Sequence, residues 1–198
     1  MIYRVSEAIM IPSIICNSLI IIFVAGAAAW ECRKAEKISI VFRYFTTLSN
    51  ALCAATALAM VICTLLGEVP VVVQTLKYVG TCSVTVTFLT VMLFLGPATK
   101  DYKRLLSGAN LFLHLICPVL AIVSWIAFEK HNMSFYNVVF GTLPVVLYGA
   151  LYGYKVMLAP DGRKWEDFYG FNHNGKWLIS VIGMICGGFL VSVILCVI

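Results

Sequence analysis

Charged side chains are scarce in this sequence. Asp, Glu, Lys and Arg make up 12% of its 198 residues, whereas soluble domains carry about 25%. Hydrophobic residues make up 62%, and a chain this short cannot bury such an excess in a soluble core, because surface grows relative to volume as a domain becomes smaller. The composition therefore excludes a soluble enzyme, a DNA-binding module and a disordered tail, and it leaves the bilayer as the solvent. We expect no nucleic-acid partner.

The apolar runs also lack the alternation that a transmembrane β-barrel needs. A barrel strand alternates over about 10 residues, whereas a spanning helix needs about 20 apolar residues. Backbone groups in lipid must be hydrogen-bonded within the protein. The sequence therefore predicts an all-α integral membrane protein, a bundle of six transmembrane helices in one domain over residues 1–198. The six runs are Ala8 to Trp30, Phe42 to Leu66, Leu76 to Leu95, Leu106 to Phe128, Phe135 to Leu158 and Trp177 to Ile198.

The eight cysteines of the chain include no CxxC pair. Nearly all of them are scattered through the apolar runs, whereas a zinc site needs clustered ligands. A buried free cysteine behaves as a small hydrophobic side chain. We therefore expect free thiols that pack within the bundle, and neither a metal nor a cofactor.

Lys and Arg are almost missing from two of the five connections. Of the 14 Lys and Arg residues, 11 lie in the first, third and fifth connections, and the exceptions are Arg4, Lys77 and Lys130. Short connections rich in Lys and Arg stay in the cytoplasm. We therefore expect both termini to be extracytoplasmic and the three basic connections to be cytoplasmic.

Histidine is rare, and His114 is the only one of three that falls within an apolar run. All Asp and Glu residues lie in or beside connections, and all Lys and Arg residues lie within a turn of one. His114 is thus the one ionisable side chain, apart from Cys and Tyr, that we expect deep in a span, where a polar group indicates function or a bond between helices. Pro118 has no N–H for the carbonyl of His114, which predicts a kink there. The same helix face carries Ser107, Asn110 and Cys117.

The second span carries a stripe of polar side chains near its cytoplasmic end. Thr47 points about 100° away from this stripe around the helix. The rise per residue places Thr46 and His114 in the same half of the membrane, and a hydroxyl near an imidazole is a nucleophile beside its base. The alternative is that such hydroxyls only bond to their own helix or join helices. The stripe consists of Thr46, Ser49, Asn50 and Cys53.

Two segments, FRYFTTLSN and HLICPVLAIVSW, resemble the membrane family of androgen-induced and androgen-dependent TFPI-regulating proteins, and the chain looks closest to that family's bacterial relatives. The family has an aromatic residue and a Thr at the start of the second span, a His followed by Pro in a later span, and a Trp-aromatic motif in the last connection. Here these positions are Phe45-Thr46, His114 with Pro118, and the segment from Lys164 to Tyr169.

This resemblance implies an integral membrane threonine hydrolase in a bacterial cell membrane, whose animal relatives cleave fatty acid esters of hydroxy fatty acids. By the match of motifs, Thr46 would be the nucleophile and His114 the base. The substrate would be a lipid ester that enters from the bilayer. The last connection departs from the family, because the segment from Asp167 to Phe171 replaces the family's Tyr-Pro-Phe-Leu. The resemblance therefore leaves the identity of the ester open.

Asparagines near the two proposed catalytic residues are candidates for supporting roles. Asn50, one turn after Thr46, is either an oxyanion donor or a bond between helices. No carboxylate is expected within the membrane to orient His114. The ring would then be oriented by Asn110, by Ser107, by a backbone carbonyl or by water.

The candidates for contact with the substrate lie at the cytoplasmic interface. Arg43, one turn before Thr46, either holds a carboxylate of the substrate or anchors the helix by reaching toward the headgroups. Trp165 and Tyr169 belong to an aromatic cluster in the last connection. This cluster either covers the site or lies in the headgroup region.

Two other classes of function remain open. A small facilitator of neutral solutes is one, although transporters place carboxylates or basic side chains along their pathway and the sequence predicts none there. The other is a non-catalytic membrane scaffold in which His114 only bonds across helices.

Overall fold

The computed structural model describes residues 2–4, 6–172 and 175–198. Within these residues six helices are long and apolar enough to cross a membrane, so the chain is an all-α, multi-pass membrane protein. Two short helices, Ile38–Val41 and Tyr102–Leu105, lie in the first and third connections. The long helices are α1 (Glu7–Lys34), α2 (Phe45–Leu65), α3 (Val71–Thr99), α4 (Ala109–Glu129), α5 (Asn137–Leu158) and α6 (Trp177–Val197).

All six predicted spans are present, and they differ from the prediction mainly at their ends. The third span begins at Val71 rather than Leu76. The fourth begins at Ala109, because Gly108 adopts a φ of 58° and interrupts the chain before the helix. Ser107 therefore precedes α4, and the prediction that it shares a helix face with His114 is wrong.

A two-stranded sheet, which the sequence did not predict, joins the N-terminal strand to the connection between α2 and α3. Strand β1 (Ile2–Arg4) pairs antiparallel with β2 (Glu68–Pro70). The sheet defines one end of the bundle, which we call the opposite end. The other end carries connections 35–44 and 100–108 and the described parts of the last connection, 159–172 and 175–176, and we call it the basic end.

Helix α3 lies at the centre of the bundle, in contact with α2, α4, α5 and α6. One buried cluster joins α3 to α1, α2 and α4, and a second joins it to α4, α5 and α6. Helices α2 and α3 approach closely, because a Cβ at Gly80 would lie 2.5 Å from the hydroxyl of Thr56. All eight cysteines are free thiols, and Cys53, Cys82 and Cys117 pack within these clusters.

Candidate active site

Thr46 lies in the first turn of α2, at the basic end. Tyr44 is the N-cap of the helix, and its carbonyl accepts the N–H of Thr47 at 3.1 Å. The N–H of Phe45 instead donates to the hydroxyl of Tyr169 at 3.0 Å. That phenol also lies beside the hydroxyl and the backbone N–H of Thr46. The last connection thus reaches the first turn of α2 through Tyr169.

His114 lies within a π turn of α4, Phe112–Ile116. The N–H of Cys117 bonds to the carbonyl of Phe112, five residues earlier, and the chain passes from this wide turn into Pro118. A change of helical register thus occurs where we predicted a kink. Such π turns are frequent at functional sites.

A backbone carbonyl orients the imidazole of His114. Nδ1 lies 2.8 Å from the carbonyl oxygen of Leu105. Because that oxygen can only accept, Nδ1 carries the proton of the neutral ring, and Nε2 keeps a lone pair that can take up a proton. The ring is buried, with 8% of its residue surface exposed. Of the four orienting groups left open by the sequence, the structure selects the backbone carbonyl.

Asn110 and Ser107 bond away from the imidazole. The amide of Asn110 and the hydroxyl of Ser107 both donate to the carbonyl of Arg104, each at 3.4 Å. Glu31, near the end of α1, lies close enough for its charge to act on the ring. Sequence reasoning missed Glu31, because it assigned this residue to a connection, whereas α1 continues to Lys34.

Asn50 ties the turn of Thr46 to the turn of His114. Its amide nitrogen donates to the carbonyl of Thr46 at 2.8 Å and to the carbonyl of Leu113 at 3.0 Å. Only the nitrogen of the amide can face two carbonyl oxygens, which fixes its orientation. Both N–H groups are thereby used, so in this arrangement Asn50 joins two helices and has no donor left for an oxyanion. Its buried Oδ1 accepts no hydrogen bond from the described chain.

The turns of Thr46 and His114 are joined through Asn50, and no direct hydrogen bond links the two residues in the described parts of the chain. Cys53 and Cys117, which continue the two stripes deeper in the membrane, belong to the same buried cluster. The two predicted polar faces therefore meet. Catalytic hydrogen bonds are often long without substrate and form only in the complex.

Aromatic rings of the last connection pack over the basic end beside α2. The rings of Tyr44 and Phe168 lie 4.6 Å apart between centroids. Arg43 and Lys155 each lie 5.9 Å from the ring centroid of Trp165. The cluster thus places two cations and one indole next to the turn that carries Thr46.

No family model, no curated protein and no solved structure matches this chain. The resemblance described above therefore rests on its motifs alone.

An apolar cavity of about 240 Å³ lies between α2, α3 and α5. It begins beside Phe45 and extends to Leu52, a length of about 10 Å at the helical rise per residue. Leu147 and Leu151 are exposed at its lipid-facing side, so it is open to the bilayer. Neither Thr46 nor His114 lines it, but it begins at the residue before Thr46. Its lining consists of Phe45, Leu48, Ser49, Leu52, Ser83, Pro144, Leu147, Tyr148 and Leu151.

A second polar cluster lies toward the opposite end of the bundle, and it overturns the expectation that His114 is the only such ionisable group in the interior. The ammonium of Lys77 on α3 lies 3.6 Å from the carboxylate of Glu129 on α4, and their side chains are 0% and 1% exposed. Asn17 of α1 accepts from Lys77 and donates to Glu129. Ser13 and Ser124 donate to the same carboxylate. The cluster thereby joins α1, α3 and α4.

Proposed function

We propose that this chain is an intramembrane hydrolase that cleaves lipid esters, with Thr46 as nucleophile and His114 as general base. The observation that carries this proposal is the double hydrogen bond of Asn50, which holds the turn of Thr46 against the residue that precedes His114. A hydroxyl is a poor nucleophile unless a base removes its proton. The tautomer fixed by Leu105 leaves Nε2 of His114 available as that base.

The surroundings of Thr46 support the proposed class of substrate. The cavity beside Phe45 is apolar and open to the bilayer, so it suits an acyl chain that arrives through the membrane. Arg43 lies next to Trp165 at the interface, where its charge suits a free carboxylate. These features favour an ester of a hydroxy fatty acid with a fatty acid, in which one chain ends in a carboxylate.

The orientation belongs to the same proposal. We place the basic end in the cytoplasm and both termini outside it, in a bacterial cell membrane, because Lys and Arg concentrate in the three connections of the basic end. The active site then opens near the cytoplasmic leaflet.

Cysteine-accessibility labelling tests this orientation on a variant whose native cysteines are replaced. Single cysteines near Lys34, Lys103 and Lys164 should be protected from an impermeant reagent in intact cells, and those near Glu68 and Asn132 should be labelled. Disruption of the membrane should make all five reactive. External labelling near Lys164 would require the orientation to be reversed or redrawn.

Labelling with a fluorophosphonate tests the chemistry. The purified protein should react at Thr46, because a hydroxyl activated by a base attacks phosphorus as it attacks an ester carbonyl. A panel of lipid esters should be hydrolysed in parallel, with Thr46→Ala as the blank. A protein that neither reacts at Thr46 nor hydrolyses any ester would contradict the proposal.

A transporter remains the second candidate, because one observation favours it. Ionisable residues inside a membrane often mark a pathway for ions or substrates, and the pair of Lys77 and Glu129 is buried within the bundle. A transporter in liposomes would show solute flux that survives Thr46→Ala, whereas the hydrolase would show none.

A further inference from the structure

The phenol of Tyr169 lies at the N-terminus of α2, on the side where an ester would react with Thr46. Its oxygen accepts the N–H of Phe45 at 3.0 Å and lies beside the hydroxyl of Thr46. The resemblance and the sequence pattern suggested only that this tyrosine contacts substrate, covers the site or lies in the headgroup region. Its position at the reacting oxygen calls for a more direct role.

The last connection is built to hold this phenol in place. The carboxylate of Asp167 accepts the N–H groups of Phe171 and Asn172 at 2.9 and 2.7 Å. It also accepts the hydroxyl of Tyr152 at 2.8 Å, and that hydroxyl in turn accepts the N–H of Tyr169 at 3.0 Å. A side chain of α5 thus fixes the backbone of Tyr169 by two linked hydrogen bonds.

The phenol is equipped to donate a proton in a hydrogen bond. Burial raises the pKa of Tyr169 above its ordinary value, so the hydroxyl is neutral and keeps its proton at physiological pH. Its oxygen already accepts the N–H of Phe45, and a hydrogen bond accepted at the oxygen strengthens the one that the O–H donates. Tyrosine hydroxyls are among the donors that form oxyanion holes.

We propose that Tyr169 is a catalytic residue whose hydroxyl donates a hydrogen bond to the oxyanion that forms when Thr46 attacks the ester carbonyl. This inference rests on the hydrolase function proposed above. It assigns to Tyr169 the role that Asn50 cannot fill, since both N–H groups of Asn50 are already bonded to carbonyl oxygens.

Oγ1 of Thr46 forms a bond to the carbonyl carbon, its proton passes to Nε2 of His114, and the π electrons of the carbonyl move to oxygen, which becomes the oxyanion. That oxygen is bonded to the carbon that Oγ1 attacks, so a donor beside Oγ1 reaches it. When the carbonyl re-forms, the bond to the leaving alcohol breaks and the alcohol takes the proton from His114. Water then attacks the acyl carbon and gives a proton to Nε2 of His114, and the bond from that carbon to Oγ1 breaks as Oγ1 takes the proton back. The acid is released and Thr46 is restored, while Tyr169 keeps its proton throughout.

The test is Tyr169→Phe, which removes the hydroxyl and keeps the ring. We expect kcat to fall roughly 100- to 1000-fold, the range found when one oxyanion donor is removed, with KM nearly unchanged, because the interaction exists only in the transition state. The matched control is Tyr44→Phe, since the ring of Tyr44 also packs against the last connection. This control should keep the wild-type kcat.

Two outcomes overturn the inference while leaving the hydrolase intact. One is a folded Tyr169→Phe protein with the wild-type kcat, and the other is an equal loss of kcat in Tyr44→Phe, which would indicate an effect of packing. A wrong assignment of the hydrolase function would give a different result, because Thr46→Ala would then hydrolyse esters at the same rate as the wild type.

A second replacement keeps the test decisive if Tyr169→Phe does not fold. Substitution of 3-fluorotyrosine at position 169 preserves the ring and the hydroxyl but makes the phenol more acidic. The alkaline limb of the kcat profile should then move to lower pH, because the ionised phenol has no proton to donate. The groups that face this phenol, Tyr148 and Tyr152 of α5 and Asp167 of its own connection, are unchanged in the variant. An unmoved profile would contradict the inference.

Discussion

Thr46→Ala should abolish ester hydrolysis, lowering kcat by about 10⁴-fold or more, as removal of a catalytic nucleophile does. The protein should remain folded and inserted, because the side chain of Thr46 is only half-buried and its backbone carbonyl keeps the hydrogen bond from Asn50. The matched control is Thr47→Ala. Thr47 points about 100° away around α2, so its loss should have a mild effect. Steady-state kinetics on the most active ester measures both variants.

Removal of the base should lower activity as much as removal of the nucleophile. His114→Ala should lower kcat as much as Thr46→Ala does, and the double variant should be little worse than either, because the two residues act as a unit. Thr46→Ser should keep part of the activity, since the hydroxyl survives. The activity of the wild type should fall as pH drops through the titration of His114, because only the neutral ring accepts a proton. Glu31 is a charged group close enough to act on this ring.

An intolerant Thr47 would contradict this assignment. If Thr47→Ala abolished hydrolysis while Thr46→Ala did not, the nucleophile would be Thr47, which lies outside the polar stripe of α2. The junction made by Asn50 would then be only a structural bond between helices.

Lys77→Met should destabilise the protein by about 3–5 kcal/mol, the range for breaking one side of a buried ion pair. The loss is large because the carboxylate of Glu129 would stay buried without the cation of Lys77, beside the neutral donors Ser13 and Ser124. The double variant Lys77→Met/Glu129→Gln removes both charges and should recover much of the loss. Unfolding in detergent micelles, followed by circular dichroism, measures these differences.

The control for this pair is Lys103→Met, at an exposed position of the basic end, which should leave stability unchanged. The fraction of Lys77→Met that stays folded should hydrolyse esters at the wild-type rate, because the ion pair lies toward the opposite end from Thr46. A single variant as stable as the wild type would show that Lys77 and Glu129 are not buried together.

The spans could be predicted from the sequence because lipid imposes one requirement on all of them, a long apolar stretch whose backbone bonds to itself. The polar faces were predicted less completely. The stripe of Thr46 and Asn50 is correct, since α2 is regular through this region. The stripe of His114 was extended wrongly to Ser107, because a regular 3.6-residue period cannot anticipate the break at Gly108 or the π turn that follows.

The ion pair was missed for a related reason. Hydropathy treats a charged residue near the end of an apolar run as the start of a connection, and both Lys77 and Glu129 have such positions. The structure shows α3 beginning at Val71 and α4 continuing to Glu129. Which charges turn inward depends on contacts between helices distant in sequence, and a single span does not contain that information. The role proposed for Tyr169 was out of reach in the same way, because its partner Phe45 lies in α2, 124 residues away in the sequence.

The buried ion pair also has a consequence for biogenesis. As the chain emerges from the ribosome, α3 reaches the membrane with Lys77 before α4 has been synthesised, and a lone ammonium in lipid is strongly disfavoured. Asn17 in the already inserted α1 supplies an acceptor at this stage. The countercharge arrives only with Glu129, at the very end of α4. We therefore expect the third helix to reach its final depth in the lipid only once the end of the fourth has been made, so that these two helices complete their insertion together.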